Sequence, residues 1–296
     1  MVLHPLIVGL LLLAALMHAT WHAILKSDHS DRLATFGVIK GVGLAMALCA
    51  MPFLPSLEPA AWKYLMVSVP IHLLYFTFLL RAYSYGDLSH IFPIARGVSP
   101  LLVLLASGHL TGEQLRPQGV AGVVLMSAGV IGLALLKRPA VPTHAGRHGL
   151  ATLFAILTGI TIAAYIVVDG LGVRSAGPTP LHWLAYIVWL YVLEGPWLFL
   201  LAMCLRPDTI WPHLRAHWWR GAIGGVIGSV SYGIAVFALA LAPMAHVAAL
   251  RETTVLFGAL IGVVLLHEPF GIQRVAAAVV IVVGLVLLNG PTLFQW

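Results

Sequence analysis

The sequence predicts an all-α integral membrane protein of about ten transmembrane helices, arranged as two inverted five-helix repeats. Three observations carry that prediction. Of 296 residues, 60% are hydrophobic and only 9% charged, whereas a soluble domain carries about 25% charged residues. The apolar residues fall in runs close to the ~20 residues that cross a hydrocarbon core of ~30 Å. Finally, one stretch occurs twice. Ile94-Ala95-Arg96 leads through an apolar segment to Thr111-Gly112-Glu113, and Ala249-Leu250-Arg251 leads through another to Leu266-His267-Glu268. Arginine and glutamate are 17 residues apart in both copies, and a gapless shift of 155 positions superimposes them. The same shift pairs Leu105 with Leu260, Gln118 with Gln273, Gly129 with Gly284, Cys49 with Cys204 and Pro52 with Pro207. The polar and proline pairs go beyond what a shared apolar composition produces.

Taken in order, the first half (1–138) holds spans near 5–25, 33–54, 62–82, 88–110 and 116–136. The first run lacks the basic n-region of a cleaved signal and is expected to be a permanent span. Residues 139–148, with Pro139, Pro142 and Gly146, are the expected linker. The second half (149–296) holds spans near 149–170, 181–204, 217–238, 243–266 and 270–289. Five is odd, so the second copy enters the membrane from the opposite side. Inverted repeats of this kind mark secondary transporters, with the site at the repeat interface.

Charge refines the picture. The net charge of +6 does not point to nucleic acid, because Lys and Arg are scattered between apolar runs as in membrane loops. Loops after odd-numbered spans carry most of them, which puts those loops in the cytoplasm and both termini outside. Trp62, Trp211, Trp218, Trp219 and Trp296 fall near span ends, as an interfacial belt does. The two cysteines lie inside expected spans and imply no disulfide framework. No P-loop occurs, so pumping would have to run on ion gradients.

Several motifs carry a family resemblance. In the first half they are Ala82-Tyr83-Ser84-Tyr85-Gly86-Asp87, Pro93-Ile94-Ala95-Arg96-Gly97-Val98-Ser99-Pro100 and Gly112-Glu113. In the second they are Ala240-Leu241-Ala242-Pro243, residues 249–254 and His267-Glu268-Pro269. His18-Ala19-Thr20-Trp21-His22 with Lys26, and Ala164-Tyr165 with Asp169-Gly170, add to them. Together they resemble the ten-span EamA-like branch of the drug/metabolite transporter superfamily. The resemblance covers nearly the whole chain. It implies a multi-pass protein of the plasma (inner) membrane with no cofactor and no catalytic activity. It also implies a cavity among spans one, three, four and their repeats, which draws attention to His22 and His72.

Charges inside a span are costly and usually face a cavity or a partner. Lys40, Arg96, Glu194, Arg251 and Glu252 are such residues. Arg96 and Arg251 are repeat-related and are expected to face a shared central cavity, where a guanidinium fork matches carboxylate or phosphate. The plainer account makes each an interhelical ion pair. Arg251 and Glu252 are adjacent on a helix and so do not share a face. Glu252 is therefore expected at the cavity, with Glu194 as coupling candidate and Lys40 near its repeat position as a salt-bridge or gating partner. Tyr75, Tyr165 and Trp189 are expected aromatic contacts within spans.

His18 and His22, four apart, share a helix face, but no further ligand set accompanies them and no metal site is assigned. Glu113 and Glu268 sit where an acid favours a helix N-terminus. Gly221, Gly224, Gly225 and Gly228 allow close packing of span eight. Pro93 and Pro100 would loosen span four. Small faces on spans five and ten suit either internal packing or a dimer.

The expected function is secondary export of a small polar metabolite such as an amino acid, with proton or ion coupling. Its partners would be that substrate and the lipid bilayer. An exporter of amphipathic drugs is the alternative, and an intramembrane metal enzyme built on His18 and His22 a more distant one.

Overall fold

The computed structural model describes residues 3–27, 32–86, 88–136, 145–205, 207–264 and 272–290. Among them there is no strand. The first half contributes α1 (Pro5–Ser27), α2 (Arg32–Ala50), α3 (Pro59–Tyr85), α4 (Leu88–Thr111) and α5 (Pro117–Leu136). The second contributes α6 (Ala145–Arg174), α7 (Pro180–Leu205), α8 (Pro207–Leu241), α9 (Met244–Arg251), α10 (Thr254–Val264) and α11 (Ile272–Asn289). Nine segments of the described residues are long and apolar enough to cross a membrane, and Val275–Asn289 is a shorter apolar helix. The protein is an all-α membrane protein of about ten helices.

Local chemistry sets the boundaries. Five helices open on proline (Pro5, Pro59, Pro117, Pro180 and Pro207), whose fixed φ suits the first turn and whose missing N–H costs nothing there. Gly112 follows α4 with φ 68°, a left-handed C-cap that a β-carbon would strain. Leu105 and its repeat mate Leu260 are both exposed, as befits side chains whose solvent is lipid.

Three expected boundaries move. Span six runs to Arg174 rather than 170, and span eight begins at Pro207 rather than 217. The expected linker is shorter, because Ala145 to His148 already belong to α6. The larger correction concerns span nine, which is two helices rather than one. Glu252 N–H bonds to Ala249 O at 2.9 Å, and Thr253 N–H to Leu250 O at 3.1 Å, an i→i−3 pattern tighter than an α-helix. Thr253 and Thr254 turn their hydroxyls back onto Leu250 O and Arg251 O, offering the backbone an alternative to the helical ladder. Pro93 and Pro100, by contrast, lie inside the uninterrupted α4.

Packing follows one pattern in both halves. α6 lies along α3 and α4, and α1 lies along α8, α9 and α10, while α2 pairs with α7 and α5 with α11. Exchanging the halves leaves this set of partners unchanged. The α5–α11 contact shows it at atomic scale. A β-carbon on Gly129 would sit 3.3 Å from Ala277 O, and one on Gly284 would sit 2.8 Å from Gly122 O. The 155-residue shift carries the first contact onto the second. The small faces of spans five and ten are thus used within the chain. Gly221 and Gly225 let α8 approach α2, where β-carbons would meet Val38 and Val42 at 2.4 and 2.7 Å.

Lys137, Arg138, Arg206, Glu268 and Trp296 lie outside the described residues, as do the side chains of Lys26 and Trp211.

Candidate functional site

The break in span nine puts two opposite charges where two helix ends meet. Arg251 is the last residue of α9, and Glu252 precedes the N-terminus of α10. A cation at a helix C-terminus and an anion before an N-terminus both complement the macrodipole. Both side chains are buried, yet they serve different neighbours. Glu252 Oε1 lies 3.6 Å from Arg96 Nη1 on α4. Arg251 lies over the ring of Tyr232 on α8, 5.3 Å from its centroid.

A second ion pair links the repeat-related helices α2 and α7, where Lys40 Nζ donates directly to Glu194 Oε1. Lys40 also stands over the Phe76 ring at 4.7 Å. The other described ion pairs are His72–Asp169 and Arg174–Glu113. Arg251 is left with no carboxylate partner among the described residues.

The densest polar network is centred on Asp169 of α6, which is fully buried. Its Oδ1 accepts from Ser68 Oγ of α3 at 2.5 Å and from the Tyr186 hydroxyl of α7 at 3.1 Å. Its Oδ2 accepts from the Tyr232 hydroxyl at 2.6 Å. His72, one turn from Ser68 on α3, places Nε2 3.2 Å from the Tyr232 oxygen and Nδ1 3.1 Å from Ser68 O. Its ring stacks on Tyr165 with centroids 4.3 Å apart. Gly172 is what admits Tyr186, since a β-carbon there would lie 2.3 Å from the hydroxyl. A buried carboxylate with three hydroxyl donors is well satisfied.

Between these networks lies a cavity of about 80 Å³. Its wall includes Arg251, Lys40, Glu194, His72, Tyr75 and Tyr165 among the expected residues. It also includes His18, Trp21, Tyr191 and Tyr232. Four expected residues lie elsewhere. Arg96 is turned to Glu252 and to the Phe92 ring instead. The two repeat-related arginines thus keep different partners, and only Arg251 is on this cavity's wall. Glu252 itself corresponds under the repeat shift to Gly97, which packs on Ile131 and Ser127. Trp189 packs on Trp62 with ring centroids 4.9 Å apart, away from the cavity wall. His22 packs between Trp21 and Phe92. Its Nε2 is 3.2 Å from His18 Nε2, and His18 Nδ1 accepts from Trp21 Nε1. Among the described residues no three His, Cys, Asp or Glu side chains converge as a metal would need.

Glu113 also departs from expectation. It caps not the helix that follows it but α9 of the other half: Oε2 accepts from Met244 N–H at 2.8 Å. Its Oε1 holds Arg174 Nη1 at 2.7 Å, and Arg174 in turn donates to Leu239 O and Ala242 O at the end of α8. One acid and one base thereby staple the α8–α9 corner to the α4–α5 turn.

Residues 149–290 match the EamA-like transporter family. Over that second half the chain is similar to this family of membrane proteins. Among the solved structures similar to this chain is a crystal structure with a TM-score of 0.73 and 19% identity, covering 96% of each chain. That likeness establishes the fold alone. No curated protein matches. Asp169, which the sequence reading took up only within the motif Ala164-Tyr165 with Asp169-Gly170, is the centre of the densest polar network. Its signal was the pair of i, i+4 spacings, Ser68 with His72 and Tyr165 with Asp169, each of which puts two polar side chains on one helix face.

Proposed function

We propose that this chain is a secondary transporter of the plasma (inner) membrane that exports a small anionic or zwitterionic metabolite, an amino acid or a related compound, by alternating access. The observation that carries the reading is Arg251, a buried guanidinium on the cavity wall without a carboxylate partner among the described residues. Burying such a charge is costly unless something compensates it, and a substrate carboxylate or phosphate fits its planar fork. Tyr75, Tyr165 and Tyr232 supply apolar faces with polar tips around it. The discontinuity beside Arg251 supports the same reading, because transporters commonly form their sites at broken helices. A cavity of about 80 Å³ has room for a few waters, so admitting a metabolite requires the helices to part. The Lys40–Glu194 bridge between α2 and α7 suits a gate that opens when they do.

The test is a thermal-shift screen of purified protein against amino acids, nucleosides, sugar phosphates and cationic drugs. A ligand that binds only the folded state raises apparent stability by RT ln(1 + [L]/Kd). An anionic or zwitterionic class should stabilise the wild type and fail to stabilise Arg251→Ala. Stabilisation by cationic amphipaths that survives Arg251→Ala would instead select the drug-exporter alternative.

A further inference from the structure

The cavity meets only one side of the Asp169 network. His72 and Tyr232 line it, whereas Ser68 and Asp169 do not. Hydrogen positions in the network follow from what each atom is able to do. Ser68 O is a carbonyl and only accepts, and Ser68 Oγ, 3.2 Å from His72 Nδ1, gives its one hydrogen to Asp169 Oδ1, so Nδ1 is assigned the hydrogen between them. The Tyr232 hydroxyl has one hydrogen and stands between His72 Nε2 at 3.2 Å and Asp169 Oδ2 at 2.6 Å.

Two arrangements satisfy every group. In one, Tyr232 donates to an ionised Asp169 and accepts from Nε2–H of an imidazolium. In the other, Asp169 holds the proton and donates to Tyr232, which donates to a bare Nε2. The two interconvert by a relay. The Nε2–H bond breaks as the phenol oxygen gains that proton, and the phenol's own proton passes to Oδ2. Net charge is the same in both, and the second, which separates no charges in a buried site, is the one that stores the proton, on Asp169. The network exchanges that proton with the cavity through the His72 and Tyr232 side.

We propose that Asp169, Tyr232 and His72 form the proton-binding site of the carrier, in place of Glu194. Its function as a coupling site rests on the transporter reading above; its existence as a proton site does not. Glu194 is the weaker candidate because Lys40 already donates directly to it across α2 and α7. The network is faced by Tyr165 from α6, Tyr186, Tyr191 and Glu194 from α7, and Arg251 from α9. Tyr75 from α3 and Lys40 from α2 share the cavity wall with it. Arg251 stands on the Tyr232 ring itself, so an anion drawn to Arg251 changes the field felt by the relay. Occupancy of the cavity and occupancy of the proton site are therefore coupled.

Infrared difference spectroscopy of the full chain in lipid nanodiscs, titrated with acid, tests this without any substrate. A protonated-carboxyl stretch should grow in as pH falls. Carbon-13 labelling of aspartate should move it, and among the described residues Asp169 is the one aspartate within a candidate membrane span. The band should vanish in Asp169→Asn, persist in Glu194→Gln, and shift its midpoint by about 1 pH unit in Tyr232→Phe. Labelling uses the wild-type protein, so a poorly folding Asp169→Asn does not block the assignment. A titrating band indifferent to aspartate labelling, a band lost in Glu194→Gln, or no titrating carboxyl at all overturns the proposal. A titrating Asp169 together with a silent ligand screen would sink the transporter reading and leave the proton site standing.

Discussion

Arg96 and Glu252 face each other across α4 and the α9–α10 break, with Nη1 3.6 Å from Oε1, and each keeps one further polar atom, Nη2 and Oε2, buried without a hydrogen-bond partner. Two charges this deep stabilise less than they appear to, because desolvation offsets much of their attraction. Their removal is correspondingly asymmetric. Arg96→Ala leaves Glu252 alone and should lower stability by about 3–5 kcal/mol. Arg96→Met/Glu252→Leu removes both charges and should recover most of that loss. Denaturant unfolding in detergent reads the difference; equal losses in the single and double variants would show that the pair is not coupled.

The α5–α11 seam makes a steric prediction. A β-carbon on Gly122 would lie 2.6 Å from both Gly284 O and Leu288 N, and backbone cannot move aside as a side-chain tip can. Gly122→Ala should cost about 1–3 kcal/mol. Gly132 on the same helix has nothing within 4 Å, so Gly132→Ala should be neutral or stabilise by up to about 1 kcal/mol. Paired melting curves decide it, and a matched loss in both variants would rule out close packing as the cause.

Glu113 and Arg174 are partly exposed, at 16% and 30%, so their mutual attraction is screened and modest. Their backbone partners add to it. A double-mutant cycle with Glu113→Gln and Arg174→Gln should give a coupling of about 0.5–3 kcal/mol. Each single variant should also raise amide exchange at Met244, whose N–H loses its acceptor or the acceptor's anchor. Unchanged exchange at Met244 would mean the staple does not hold the corner.

Arg251→Lys separates charge from shape. Lysine keeps the positive charge but loses the planar fork. Binding of an anionic hit from the thermal-shift panel should weaken by about tenfold or more, in line with ~1.5–3 kcal/mol for a charge-assisted hydrogen bond. Wild-type affinity in Arg251→Lys would indicate that charge alone is read.

The spans were legible because lipid imposes a length and a composition that local sequence must meet. The duplication was legible because identical spacing survives between Arg96–Glu113 and Arg251–Glu268. The break at Glu252 was not, since Arg251-Glu252-Thr253-Thr254 contains neither glycine nor proline, and the threonine hydroxyls that back-bond there are equally at home on a helix surface. Asp169 enters the sequence reading only within the motif Ala164-Tyr165 with Asp169-Gly170. Ending span six at 170 set it at the membrane edge, whereas α6 continues to Arg174 and carries it inside. Arg96 and Arg251 are repeat-related yet keep different partners, and the symmetry fails where Gly97 stands opposite Glu252.

The glycine contacts between α5 and α11 also bear on ancestry. Because Gly129 against Ala277 becomes Gly284 against Gly122 under the 155-residue shift, one half-length chain meeting an upside-down copy of itself would have formed both contacts from a single pair of positions. A seam now internal to one polypeptide has the pattern of an old boundary between two identical molecules. The two sides have since become unlike, α4 uninterrupted and span nine broken.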